Sequence, residues 1–367
     1  MFKNIILIIC IILLVQSSFL LNNNLHNLEH QLIQNQNNKV ESSIINTHHR
    51  KKFDFFKSNN ELQIYNLTDK DVCYHGIDLN HPFEWWYFDG VLTNNYSFEF
   101  HINIGISDKA GIVVPMLNLY DESELIYHAE EYIPISKFNA SNNVPVIYLN
   151  GKKIIEGSFQ NNKWSFTLNV EMKNCTMNVT FNSTSTGWKS NILDMWWYGV
   201  IQPRAKVSGI IKYNGSNISV NGTGFHEHAW QGRFPTVKGW YWGKFVSTNF
   251  SIIWAQLIKY PWEQYTLMVL NEKDDGYKLL SSSNISIDFN NFTGTYFRKI
   301  PTSFQFTYKD NETFFNAQSH KRFVTHQRSI GIFNYWRYHV RTSGRIRHQG
   351  IIDEFDNIQI MDFTRFW

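Results

Sequence analysis

The sequence predicts an all-β protein, a barrel or a sandwich, and three observations carry that expectation. Short stretches of alternating apolar and polar residues recur from about residue 61, separated by turn signals at short intervals. No long amphipathic helical pattern interrupts them in the first half. Aromatic residues reach 16% of the 367 residues, and runs such as Trp85-Trp86-Tyr87-Phe88 and Trp196-Trp197-Tyr198 set bulky rings on both faces of a strand. One such face can be core. The other must be buried against a second domain or line a cavity, as in barrels wide enough for a small ligand.

Residues 1–17 read as a secretory signal, with Lys3 as basic flank, Ile5–Val15 as apolar region and Val15-Gln16-Ser17 as cleavage site. The apolar run is short for a membrane span, and no later stretch is a candidate, so no integral membrane segment is expected after signal removal. Residues 18–60, dominated by Asn, Gln and His, read as a low-complexity flexible arm. Secretion agrees with glycosylation acceptors at Asn66, Asn95, Asn174, Asn178, Asn182, Asn214, Asn217, Asn221, Asn249, Asn284, Asn291 and Asn311. Cys10 leaves with the signal. Cys73 and Cys175 remain and could pair in an oxidising compartment. The net charge of +3, with acids and bases interspersed, shows no nucleic-acid footprint.

The first strands are expected at 84–92 and Ser97–Ile104, joined as a hairpin through Thr93-Asn94-Asn95. The sequon at Asn95 places odd positions outside and Phe98, Phe100, Ile102 and Ile104 inside. Further strands are expected at 111–120, 126–133, 145–149, 153–158, 162–170, 175–182, 196–202 and 206–213. The second half continues with 238–246 and 250–260. There the sequon at Asn249 puts Ser251 outside and Phe250, Ile252, Trp254, Gln256 and Ile258 inside. The remaining strands fall near 265–270, 276–280, 284–288, 293–298, 302–308, 312–317, 321–326, 332–342 and 356–364. On the 332–342 strand Trp336, Tyr338 and Val340 share one face. Arg337, His339 and Arg341 share the other, as a solvated face or an interdomain seam.

The densest chemistry lies in Gly222–Gly232, GTGFHEHAWQG. His226, His228 and Trp230 share one parity on an extended strand and Glu227 the other. Exposed sequons at Asn217 and Asn221 would place odd positions outside, so the two histidines and Trp230 point inward unless Gly224 carries a bulge. Buried histidines beside aromatics also serve as hydrogen-bonded core. His-x-His suits a metal as well, but His75, His81 and His101 complete no recognisable ligand motif, so no metal is expected. Phosphate loops, dinucleotide fingerprints, nucleophile elbows and His-Glu-x-x-His motifs are missing, so no cofactor is expected. The aromatic walls favour an apolar small molecule.

HPFEWWYFDG (81–90), GTGFHEHAWQG (222–232) and GWYWGKF (239–245), in that order, resemble the AttH/CrtC-like superfamily. This superfamily includes carotenoid 1,2-hydratases (hydroxyneurosporene synthase) and fungal lipocalin-like Diels–Alderases. The resemblance spans roughly residues 75–345 and implies two lipocalin-like antiparallel β-barrels packed together, here 61–221 and 222–367. His226, His228 and Trp230 match the family's His, His and Trp, and Glu227 its usual Asp. Gln231 is inserted before the closing glycine. Gln256 stands where several relatives carry an acid, and Gln cannot protonate an alkene. The catalytic candidates are therefore His226, His228, Glu84 and Asp89. Glu84 and Asp89 have the plainer alternative of a structural hydrogen bond. The candidate ligand wall is Trp85, Trp86, Tyr87, Trp230, Trp242, Trp254 and Gln256, expected to share one internal pocket with the histidines.

Three function classes follow. The first is a secreted, cofactor-independent cyclase, isomerase or hydratase acting on a terpenoid, polyene or polyketide. The second is a binding protein for lipids or other apolar ligands. The third is a structural surface glycoprotein.

Overall fold

The alternation in the sequence becomes strand after strand because each strand has one apolar face to bury and turn residues at its ends. The computed structural model describes residues 62–107, 110–233, 235–259, 263–274, 276–295, 298–329 and 333–366. The expected signal and arm lie outside the described residues. The first sheet opens with β1 (Tyr65–Asn66), β2 (Phe83–Leu92), β3 (Tyr96–Ser107), β4 (Ala110–Asp121), β5 (Glu124–Glu130) and β6 (Ile133–Pro134). It continues with β7 (Phe138–Ala140), β8 (Val146–Leu149), β9 (Lys152–Gln160), β10 (Lys163–Met172), β11 (Cys175–Ser183) and β12 (Trp188–Ile192). The long strands β13 (Trp196–Tyr213) and β14 (Ser216–Gly232) complete it. The second sheet holds β15 (Val237–Val246), β16 (Phe250–Lys259), β17 (Gln264–Glu272), β18 (Tyr277–Leu279) and β19 (Ile285–Thr295). Its last four are β20 (Arg298–Lys309), β21 (Thr313–Ser329), β22 (Phe333–His348) and β23 (Ile351–Phe366).

Two curled antiparallel sheets result, of 14 and 9 strands, each a lipocalin-like half-barrel. Their main paths run β5-β4-β3-β2-β14-β13-β11-β10-β9-β8-β7 and β18-β17-β16-β15-β23-β22-β21-β20-β19. Curling brings distant strands face to face. Phe88 of β2 meets Phe166 of β10 with ring centres 5.9 Å apart, and Trp254 of β16 meets Phe306 of β20 at 4.8 Å. Among the described residues the helices are three short 3-10 turns, and no helix is long and apolar enough to cross a membrane. β14 pairs on both edges within the first sheet, so the boundary between sheets falls between Gly232 and Val237, not after residue 221.

The expected inward parity of β14 holds. Its ladder with β2 runs unbroken through Gly224, and the irregularities opposite that stretch belong to β13, around Gln202. The inserted Gln231 is absorbed as a bulge between Ala229 and Gly232, with φ of 53° and its side chain exposed. The hairpin register also resolves, with Val91 opposite Ser97, so Trp86 and Phe88 face inside with Phe98, Phe100 and Ile102.

The odd faces of β3 and β16 were expected in solvent, and the structure corrects this. Ser97, Glu99 and Ser251 are buried because the two sheets pack back to back. Between them lies a third core, including Tyr87, Trp188, Tyr198, Phe225, Trp242 and Ile253. The same seam buries charge. Arg337, with no exposure, reaches Glu99 at 2.7 Å, Asp362 at 3.4 Å and Asp89 at 3.7 Å, and donates to the Tyr87 hydroxyl. Lys244 pairs with Asp89, and Tyr120 donates to Glu99 at 2.8 Å. Of the two alternatives for the 337–341 face, Arg337 and His339 take the seam. Arg341 takes solvent, paired with Asp356.

Truncating one member of a buried ion network leaves the others desolvated and unpaired, which costs about 3–5 kcal/mol. Arg337→Met should therefore lower unfolding stability by about that amount in urea denaturation. Arg341→Met, at the exposed pair on the same strand, should change it by less than about 1 kcal/mol.

Candidate functional site

The candidate site forms where β2 and β14 lie side by side and the segment before β2 folds across the first sheet. His228 stands opposite Trp86, and His226 opposite Phe88. The crossing segment is fixed by a 3-10 turn, Asp69–Val72, whose Thr68 backbone N–H donates to the Asp71 carboxylate at 2.6 Å. Lys189 anchors the same carboxylate at 2.9 Å. This holds the Asp71 carbonyl over His228, whose Nδ1 lies 2.9 Å away. A carbonyl only accepts, so Nδ1 carries the proton.

The other ring nitrogen, Nε2, lies 2.8 Å from Glu84 Oε1. Burial lowers the His228 pKa to about 3, so the ring is neutral and Nε2 accepts. Burial raises the Glu84 carboxyl to about 7, against the His75 hydrogen bonds that lower it. Glu84 therefore holds its proton well above the ordinary carboxylate range and donates it to His228. The backbone N–H of His75 donates to Glu84 at 3.0 Å, and the His75 ring is half-buried with Nδ1 3.5 Å from the carboxyl. Aromatic planes enclose the group: Trp86 stacks on His228 at 4.7 Å and Trp230 on His75 at 4.4 Å. His75, Glu84 and His228 offer donor atoms within 4.8 Å of one another, a set that could hold a divalent cation. With Glu84 protonated, its proton takes up the His228 lone pair.

The structure does not bring the other candidates to this point. His226 stacks on Phe88 at 3.8 Å, and its Nδ1–H donates to the Tyr87 carbonyl at 3.0 Å. Burial lowers it to about 3, and its Nε2 has no partner. It is core of the first sheet. Asp89 lies on the opposite face of β2, in the seam, where it takes Lys244 and the Tyr87 hydroxyl at 2.7 Å. Glu227 is in the seam too, accepting from Tyr198, which in turn accepts the Trp242 indole N–H at 2.7 Å. Burial raises Glu227 to about 8. Trp85, Tyr87 and Trp242 thus pack between the sheets, while Trp86 and Trp230 line the first interior. Trp254 faces the second interior, as does Gln256 by parity, so the single shared pocket is corrected to two separate interiors. The reason is the back-to-back packing, which turns the inner faces of the two sheets away from each other.

Cys73 and Cys175 are buried free thiols rather than a disulfide. The Cys73 thiol turns to the Asp69 carbonyl at 3.3 Å, and burial pushes both pKa values up to about 11. Eleven of the acceptor asparagines are exposed. Asn249 is half-buried and donates to Asp353 at 2.8 Å. An open groove of about 540 Å³, lined by Lys137, Phe138, Tyr148 and Asn150 among others, lies on the β7–β8 edge. Its Phe138 ring contacts Trp86 at 6.1 Å, one aromatic layer from His228.

No family model matches the sequence, and no curated protein is significantly similar to it. The fold, in contrast, has solved relatives. A Nitrosomonas europaea protein assigned as AttH is similar over 83% of this chain and 98% of its own, with 14% identity and TM-score 0.59. Kievitone hydratase from Nectria haematococca is similar over 86% of this chain and 98% of its own, with 11% identity and TM-score 0.55. CghA with Sch210972 follows at 78% and 89%, with 8% identity and TM-score 0.54. The likeness to these three solved structures is one of fold.

The sequence put Glu84 and His228 among the catalytic candidates without pairing them, and His75 entered only as a possible metal ligand. The signal available was parity: Glu84, Trp86 and Phe88 share one face of β2, as His226 and His228 share one face of β14. The Arg337 network was legible only as a seam.

The two histidines separate experimentally. Both rings stay neutral in the folded protein down to about pH 3, while an unfolded His takes a proton near 6.5. Below 6.5 the unfolded chain binds more protons, so the stability these rings contribute is lost as pH falls towards 3. His226→Phe should stay within about 1 kcal/mol of wild type at pH 7 and become less acid-sensitive, its advantage growing as pH drops to 5 in urea titrations. His228→Phe should cost about 1–3 kcal/mol at pH 7, because Glu84 and the Asp71 carbonyl lose their partner.

Proposed function

We propose that this chain is a proton-transfer enzyme of the hydratase or isomerase type, acting on an apolar small molecule. One observation carries the reading: a carboxyl group raised to about 7, hydrogen-bonded to a neutral imidazole inside an aromatic enclosure. Such an acid is matched to work near neutral pH, where it both holds and releases a proton. Glu84 is the acid. His228, neutral and held in one tautomer by the Asp71 carbonyl, accepts its hydrogen bond and orients it, and half-buried His75 is the outermost member. The substrate would lie against His75, Trp86 and Trp230, whose ring faces favour developing positive charge on carbon. A protonated alkene that then takes water and returns a proton to the Glu84 carboxylate gives hydration, and one that loses a neighbouring proton instead gives isomerisation. The name of kievitone hydratase puts water addition on this fold, and CghA holds Sch210972 on it.

The second reading, a binding protein without chemistry, is favoured by the complete burial of both Glu84 and His228. Solvent deuterium separates the two. The protein would be incubated in D2O with an apolar extract of the source cells and the products read by mass spectrometry. An enzyme of this class leaves deuterium on carbon, and a binder returns its ligand unchanged. Glu84→Gln keeps an acceptor for the His75 N–H and offers an N–H to His228, so the melting temperature should hold. Turnover should fall about 10²- to 10⁴-fold. In wild type, kcat/KM should decline above about pH 7 as Glu84 loses its proton. Full activity of the Gln variant would remove Glu84 from the mechanism.

We further propose that the chain is secreted, with glycans on several of the exposed acceptors. Endoglycosidase treatment of the protein from its native cells should then increase its gel mobility, and unchanged mobility would overturn the proposal.

A further inference from the structure

Three metal-ligating side chains converge at the candidate site from separate parts of the chain. His75 comes from the loop before β2, Glu84 from β2 and His228 from β14, with Glu84 9 and 144 residues from the two histidines. No ligand spacing marks such a set in the sequence. Among the described residues it is the one group of three His, Cys, Asp or Glu side chains whose donor atoms lie within 4.8 Å of one another. Glu84 Oε1 stands 2.8 Å from His228 Nε2 and 3.5 Å from His75 Nδ1. Bonds of about 2 Å to a tetrahedral cation set its donor atoms about 3.3 Å apart. The two separations bracket that value. An ion held this way lies among its donors and needs no chamber of its own.

The surroundings fix the donors in place. His228 gives its Nδ1–H to the Asp71 carbonyl at 2.9 Å, so the Nε2 lone pair is the one aimed at Glu84. A ligating imidazole is usually held by just such a bond from its other nitrogen. The carbonyl is itself fixed, because Lys189 and the Thr68 N–H hold the Asp71 carboxylate. The His75 backbone N–H orients Glu84 at 3.0 Å, while His75 Nδ1 faces the same carboxyl without a hydrogen bond. Trp230 stacks on the His75 ring and Trp86 on that of His228, so neither ring is free to turn away. Access is from one side. The Glu84 and His228 side chains have no exposed surface, but that of His75 is 17% exposed, so an ion enters past His75.

We propose that His75, Glu84 and His228 together bind a divalent transition-metal cation of the zinc type. Two imidazoles and one carboxylate suit zinc and its neighbours, whereas magnesium and calcium ask for oxygen ligands. Three protein ligands leave a fourth position open. The ion takes the place of the proton between Glu84 and His228, so the ion-free and loaded forms exclude each other. Binding stands on the donor geometry and does not depend on Glu84 being a catalyst. Where Glu84 works as an acid, the loaded form is the inactive one, a consequence that rests on that reading.

The full chain, first dialysed against a chelator, tests this with zinc and cobalt(II) as probes and no substrate present, so failure here leaves the acid reading of Glu84 standing. Equilibrium dialysis should show a zinc site for which cobalt competes and which excess magnesium or calcium leaves occupied. Bound cobalt should shift the ring-proton NMR signals of two imidazoles far outside the ordinary range. His75→Phe should remove one of the two and weaken zinc by more than about 100-fold, beyond the 10- to 100-fold cost of losing an outer-shell partner. Glu84→Gln, which keeps the shape and hydrogen bonds of the side chain, should also weaken zinc by more than about 100-fold. Melting temperatures check that both variants fold, and where His75→Phe melts early, Glu84→Gln decides alone. Zinc bound equally by wild type and both variants sits on other histidines of the chain and overturns the proposal. So does a chain that takes up no zinc, or one from which magnesium at equal concentration displaces it.

Discussion

A fully buried guanidinium group sits between the two sheets of this molecule. Arg337 can be buried only if its charge is met, and Glu99, Asp362 and Asp89 meet it from both sheets, with Nη1 donating to the Tyr87 hydroxyl. Burial opposes the charge on Glu99, yet Arg337, His101 and Asn118 hold it well below the ordinary carboxylate range. Burial keeps Asp362 up at about 7 and Glu227 at about 8, so at neutral pH these two are largely or partly neutral. Arg337 and Lys244 then face the ion-paired Glu99 and Asp89, and the seam is close to balanced. An ion network of this kind is specific in direction where apolar packing is not. It sets which strands of the two sheets meet, and hence which side chains remain for the interiors.

That constraint explains why the histidines and Trp254 part company. Sheets joined back to back have inner faces that point apart, so residues of like parity on β14 and β16 end in different chambers. The two chambers then differ in chemistry. In the first, Glu84, His228, His75 and the Asp71 carbonyl close a hydrogen-bonded chain among themselves. In the second, Trp254, Trp336 and Tyr338 pack with Phe304 and Phe306 into an aromatic core. A closed chain of this kind holds a proton in place, and a packed aromatic core does not.

Much of this was legible in the residues. The period-2 alternation located most strands, though β13, β19 and β21 each run through what read as a gap. Pro203 and the bulges beside it hid the continuity of β13. Sequon phase oriented β14 correctly, because Asn217 and Asn221 are solvated. It oriented β3 and β16 correctly too, but an odd face that is not the barrel interior need not be solvent, and there it is the seam. Pairings across the sheets were beyond reach. Nothing in the local sequence around Arg337 names Glu99, some two hundred residues earlier, as its partner. His75 was missed for a similar reason, since it reaches Glu84 through a loop rather than a strand.

The case for Glu84 as a working acid rests on what a structural role would require. A hydrogen bond to His228 Nε2 needs only a donor, and an amide would supply one at any pH. A buried carboxyl instead supplies a donor whose proton is labile close to neutrality, and it is harder to bury. The surroundings do not neutralise that feature: no cation pairs with Glu84 among the described residues, and its companions are two imidazoles and backbone N–H groups. The crossing segment is also anchored from outside, through Asp71 to Thr68 and Lys189. The positions of the Asp71 carbonyl and His75 are thus set independently of the Glu84 proton. The tautomer of His228 follows from that anchoring, so the Glu84 proton is held in one direction beforehand, which is the preorganisation that acid–base chemistry needs.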